Sequence, residues 1–158
     1  MIFVAETAKV QDRARIEGSV RLKDNAYVGD GAVVSDFARI IEDARVTGYA
    51  HIYQEATVGG NAIVCEYASV CGQAKVQGSA IVRGVASLFG EGCVGGFAVV
   101  EGKVWVGDNA QVRGHVMLCG MTEITGDAII EGYVTINNFN RSNPRVRIRD
   151  VHWWRDVP

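Results

Sequence analysis

The sequence predicts an all-β, single-domain fold wound as a parallel β-helix, and three observations at one spacing carry that expectation. Stepping by six from Val10 to Ile136 meets twenty-two positions, and every one is Val, Ile or Leu. Two residues before each stands a small residue, alanine in sixteen cases, with Val20, Gly92, Val104, Val116, Thr122 and Val134 as the exceptions. Two residues after each stands glycine thirteen times and Asp or Glu seven times.

The small and aliphatic residues, two apart, share one face of a short strand. The residue two further on marks a sharp corner, because glycine, and to a lesser degree Asp, tolerates the positive φ that such a corner needs. A strand and a corner every six residues cannot bury an apolar face as a hairpin or as an amphipathic helix. Stacked turns of a solenoid can, since each turn covers the next.

Runs such as Ala44-Arg-Val-Thr-Gly48 and Ala74-Lys-Val-Gln-Gly78 resemble the hexapeptide-repeat superfamily, and the resemblance covers residues 4 to 136. It implies a left-handed parallel β-helix, with three hexapeptides to each coil of a triangular prism and crossovers of the less common hand. The repeats then make about seven coils, roughly 35 Å long at the usual spacing of parallel strands. The unbroken register also resembles small bacterial and phage hexapeptide-repeat proteins that are often called transferases from fold alone.

Residues 1–136 read as the β-helix. Residues 137–158 read as a C-terminal turn, an extra strand and a cap of the same domain. Phase breaks at Asn137-Asn-Phe-Asn-Arg-Ser-Asn-Pro144 and resumes with Val146 and Ile148 at the next small and aliphatic positions. Trp153 and Trp154 are expected to fold over the open end of the core, which a solenoid must cover.

With two prolines in 158 residues, the chain offers no linker at which to divide it. Sixteen basic against eighteen acidic side chains give a formal charge of −2, which provides no bulk attraction to nucleic acid or to an anionic membrane. The opening Met1-Ile-Phe-Val-Ala-Glu-Thr-Ala8 has neither a basic segment nor a continuous apolar run, so a cytoplasmic protein is expected.

One coil is eighteen residues, so residues eighteen apart stack and the sequence maps onto three faces. One outward column reads Lys9, Tyr27, Arg45, Ile63, Ile81, Val99, Met117, Thr135. Its four consecutive apolar residues, Ile63, Ile81, Val99 and Met117, are joined by Tyr49, Tyr67, Val85 and Met121 at the neighbouring corner and by Tyr53, Phe89 and Trp105 on the next face. A contiguous apolar patch on a rigid wall marks a protein interface. Self-association is the expected use, with a trimer favoured by the resemblance; another protein partner and a small-molecule groove are the alternatives. A second face carries Arg21, Arg39, Lys75, Lys23 and Arg113, read as a solvated surface, with a strip for acidic protein or phosphate as the other reading.

Chemical motifs are sparse. Cys65 and Cys119 lie three coils apart and Cys71 and Cys93 belong to the other faces, so four free thiols are expected. The superfamily's carbonic anhydrases gather three zinc-binding histidines across a subunit interface. The spacing of His51, His115 and His152 does not reproduce that arrangement, and no metal is expected. Its acyltransferases use a histidine as general base beside an acyl-CoA held between subunits. His115, in Arg113-Gly-His115, is the candidate, with Glu123 or Asp127 to orient it. Against that reading, the chain has no extruded loop to build an acceptor pocket. The expected function is therefore a non-catalytic interaction or structural module without a cofactor. The alternative is an acyl-CoA-dependent acyltransferase, in which CoA or acyl-CoA would enter.

Overall fold

The structure, a computed structural model, describes residues 1–137 and, beyond them, the backbone of two short strands, Asn140–Arg141 and Arg147–Arg149. Every strand pairs in parallel, and the chain forms a β-solenoid of about 8 turns. The N-terminal strand Phe3–Val4 and the two strands past residue 137 extend the stack beyond the repeats counted from sequence.

Strands stack in three ladders. Ladder one begins with Phe3–Val4 and continues through Arg21–Leu22, Arg39–Ile40 and Thr57–Val58. Ladder two begins with Lys9–Val10 and Tyr27–Val28, and ladder three with Arg15–Ile16 and Val33–Val34. The register is eighteen residues throughout the repeats, as in Ile63 opposite Ile81 and Ser69 opposite Ser87. Small and aliphatic side chains fill the interior: Ala62, Val64, Ala68, Val70, Ala74 and Val76 are wholly buried. At Thr122 the polar exception is resolved by its hydroxyl, which donates to the Cys119 carbonyl at 2.7 Å.

Every positive φ among the described residues falls at the corner phase, from +53° at Asp108 to +91° at Gly114 and Gly132. At many of the glycine corners a side chain would be crowded as well as strained in φ. A Cβ on Gly60 would lie 2.6 Å from the Gly78 carbonyl oxygen, one coil away. The eight non-glycine corners are Asp, Glu or Gln, and each accepts a hydrogen bond from the backbone N–H of the next corner in its column. Asp36 takes the Gln54 N–H at 2.9 Å, Gln54 takes Gly72 at 2.6 Å, and Glu66 takes Gly84 at 2.7 Å. The acceptor satisfies a donor that the corner geometry would leave to solvent, which offsets the unfavourable φ.

The two ends differ. At the N-terminal end Val4 and Val10 hold core phases yet are 44% and 39% exposed, because no coil covers them. Toward the C-terminal end, strands Gln111–Cys119 and Ile129–Asn137 run without a break through Gly114 and Gly132, joining ladders one and two. The turn-forming segment after Asn137 contains the strand Asn140–Arg141, which lies opposite Glu123–Ile124 at a spacing of seventeen residues. Register then recovers, with Ile148 opposite Ile130. The expected cap, Trp153 and Trp154, and His152 lie outside the described residues. Among the described residues no helix is long and apolar enough to cross a membrane.

The corner chemistry orders two variants at one position against the parent. Asp36→Gly loses the bond to Gln54 but is relieved of the φ strain that Asp36 bears, so the two changes offset and its stability is expected to stay within about 1 kcal/mol of the parent. Asp36→Ala loses the bond and keeps the φ that the parent already bears, so it is expected to cost about 1 kcal/mol against the parent. Urea unfolding of the two variants beside the parent checks that order; an alanine variant as stable as the glycine variant would refute it.

Candidate interaction surface

Strand pleat decides which side chains reach solvent. Within each two-residue strand the aliphatic residue faces the core and its predecessor faces out, so ladder two presents Ile63, Ile81, Val99 and Met117 in one vertical column. The first three are half-buried by their neighbours, and Met117 is exposed.

Stacked side chains border this column at both corners. At the corner leading to ladder three, Tyr49 and Tyr67 are exposed and stack face to face, ring centroids 5.3 Å apart and 11° from parallel. Val85 and Met121 extend that edge with Lys103 between them, so the edge is apolar over three coils and then interrupted. At the opposite corner, between ladders one and two, His115 is sandwiched between Phe97 and Tyr133. The centroid separations are 4.9 and 4.7 Å and the planes lie within 9° and 3°. Phe97 and Tyr133 were not singled out from the sequence, although their eighteen-residue spacing through His115 was the available signal. Offset aromatic stacking at such distances rigidifies the border.

Ladder three contributes less projecting surface. Tyr53 leans on His51 at 4.5 Å, and the Phe89 ring lies over Gly107, where a Cβ would collide with it. Both are half-buried, Tyr53 beside His51 of its own coil and Phe89 on the next coil, whereas Trp105 stands partly free on the same face. On ladder two, Arg83 pairs with Glu101 through Nη2 at 2.5 Å and Nε at 2.9 Å, placing a neutralised ion pair beside Ile81 and Val99.

The structure does not bring the proposed catalytic partners to His115. Asp127 accepts a hydrogen bond from the Asn109 side chain at 2.9 Å, and Glu123 stands opposite Trp105 in ladder three. The imidazole is exposed at its edge and aromatic on both faces. Among the described residues no three of His, Cys, Asp and Glu come together as a metal site would require. The four cysteines are free and half-buried. Burial pushes the thiols of Cys65, Cys93 and Cys119 up from their ordinary value, and for Cys65 and Cys119 the nearby carboxylates Glu66 and Glu101 add to the rise. The Tyr53 hydroxyl is also raised, chiefly by its hydrogen bond with Cys71.

The fold and this surface define a parallel β-solenoid with one apolar wall. No family model matches the sequence, and no curated protein matches it.

The raised thiols have two measurable consequences. At pH 8 iodoacetamide should label Cys65, Cys93 and Cys119 more slowly in the folded chain than in urea, since the thiolate is the nucleophile. A thiol held above its unfolded value binds its proton more tightly in the native state. Its contribution to stability is complete below the unfolded thiol range and is lost as pH rises through the folded one. Stability measured by urea titration should therefore fall above about pH 9 in the parent, and less so when Cys93 is replaced by Ser.

Proposed function

We propose that this chain is a left-handed hexapeptide-repeat protein serving as a non-catalytic interaction module, which associates with copies of itself through ladder two and its two bordering corners. The observation that carries the reading is the unbroken column Ile63, Ile81, Val99 and Met117, framed by stacked Tyr49 and Tyr67 on one side and by Phe97, His115 and Tyr133 on the other. A flat apolar surface on a hydrogen-bonded wall has little conformational entropy left to lose on docking. Each large side chain removed from water there contributes about 1.5–3 kcal/mol at full burial. The resemblance favours a trimer, and the four free thiols suit a reducing compartment.

Light scattering on a size-exclusion column tests the assembly, with an oligomer expected at micromolar concentration. Ile81→Asp places a charge in the middle of the column and should yield a monomer whose melting temperature no longer depends on concentration. Lys75→Glu, on ladder one, should leave the oligomer intact. A parent protein that is monomeric at high micromolar concentration, or an Ile81→Asp variant that still assembles, would overturn the reading.

Catalysis is tested separately. A ligand at a hundred times its dissociation constant adds about 2.7 kcal/mol of stability. Millimolar CoA is expected to leave the melting temperature unchanged by any route that depends on His115. A CoA-induced rise that disappears in His115→Ala would instead support acyl transfer in a groove between subunits.

A further inference from the structure

Among the described strand pairs, two cations stand directly opposite one another only at the start of ladder one. Arg21 and Arg39 are direct neighbours in the ladder, about 4.8 Å apart at strand spacing, and Lys23 stands two residues along from Arg21. Like charges directly opposite one another are destabilising. Two other outward arginines are answered one coil away by a glutamate, Arg83 by Glu101 and Arg113 by Glu131, while Arg15 and Arg45 stand opposite uncharged residues. Here the next residues in the column are Thr57 and then another cation, Lys75.

Arg21, Lys23 and Arg39 line an open cavity of about 510 Å³ with Met1, Ser19 and two phenylalanines, and no carboxylate lines it. Phe3 lies opposite Arg21 in the ladder, and Phe37 projects from the corner beside Arg39. Phe37 is 62% exposed and Phe3 48%, so both rings offer a face to a ligand. The volume is within the range of small-molecule sites.

We propose that this cavity binds a phosphate monoester that also carries a planar ring, of the nucleoside monophosphate class. The Arg21 and Arg39 guanidiniums are the forks for the phosphate oxygens, with Lys23 as a third positive charge. Phe37 and Phe3 are the apolar walls against which the ring stacks. Bringing a dianion between the two arginines relieves their mutual repulsion, so phosphate and cations stabilise one another only in the bound state. The cavity lies at the first coils of ladder one, whereas the apolar column of ladder two runs from Ile63 to Met117 several coils further on.

Titrating AMP, adenosine and inorganic phosphate into the full chain, followed by NMR shifts of its backbone amides, tests the assignment. AMP should bind with a dissociation constant of ~1 mM or below, more tightly than inorganic phosphate, and adenosine should show no saturable binding. Arg39→Gln and Arg21→Gln should each weaken AMP at least about tenfold, the loss expected for a charge-assisted pair. Phe37→Ala should weaken AMP and leave inorganic phosphate unchanged. Raising the salt should weaken both anions. These side chains point outward, so each variant should melt with the parent.

Absence of saturable AMP binding would overturn the proposal, as would arginine variants that bind AMP like the parent. Equal loss of AMP and inorganic phosphate in Phe37→Ala would overturn the ring subsite. Tighter binding of a single-stranded oligonucleotide than of AMP would replace the small ligand by nucleic acid. CoA carries an adenosine phosphate of its own: stabilisation by CoA that survives His115→Ala but is lost in Arg39→Gln belongs to this cavity and not to acyl transfer.

Discussion

A backbone corner with positive φ at every sixth residue is the constraint on which the rest of this protein depends. It keeps each strand to two residues over most of the length and sets the register between coils at eighteen. It also determines which chemistry can occupy the corner. Glycine meets the φ requirement outright, and where a side chain is present it carries an oxygen that accepts the N–H of the corner one coil further on. Corner strain and coil-to-coil hydrogen bonding are thus met by the same atoms. This explains why Asp, Glu and Gln share these positions with glycine while aliphatic residues do not.

The same constraint leaves the outward positions free to carry function. The interior accepts little besides alanine and a β-branched or leucine partner, because successive coils lie a strand spacing apart and larger pairs would not fit. Outward residues are held by the wall but contribute little to it. They form columns whose members share one environment, so chemistry accumulates vertically: the apolar column of ladder two, the aromatic sandwich around His115 and the cationic start of ladder one. A rigid wall bearing separate columns can support an assembly surface and a ligand cavity without either disturbing the other.

The two fused strands near the C-terminal end show how local sequence modulates this scheme. Gly114 stacks on Gly132, and there the hydrogen-bonded ladder passes through the corner without a break. Immediately beside this junction Phe97, His115 and Tyr133 stack. The protein is most sheet-like where its exposed aromatic border is longest, which stiffens the edge of the proposed interface.

Much of this architecture was legible in the sequence because it rests on a one-dimensional period. Val10 to Ile136 place the core, Ala44 and Ala74 mark the small positions, and Gly48 and Gly78 mark the corners, all from a spacing that needs no long-range information. Columns of outward residues follow from the same period, which is why the Ile63 to Met117 column could be read directly. Tertiary structure alone decided how individual side chains lie on that lattice. Tyr53 leans on His51 of its own coil, Phe89 lies over Gly107 on the next, Phe97 and Tyr133 close over His115, and Asp127 is taken by Asn109. The period specifies where a Cβ emerges, whereas rotamer choice and stacking depend on neighbours eighteen residues away and across corners. The same holds for the cavity at Arg21 and Arg39, whose walls Phe3 and Phe37 come from different columns and meet only when the coil closes.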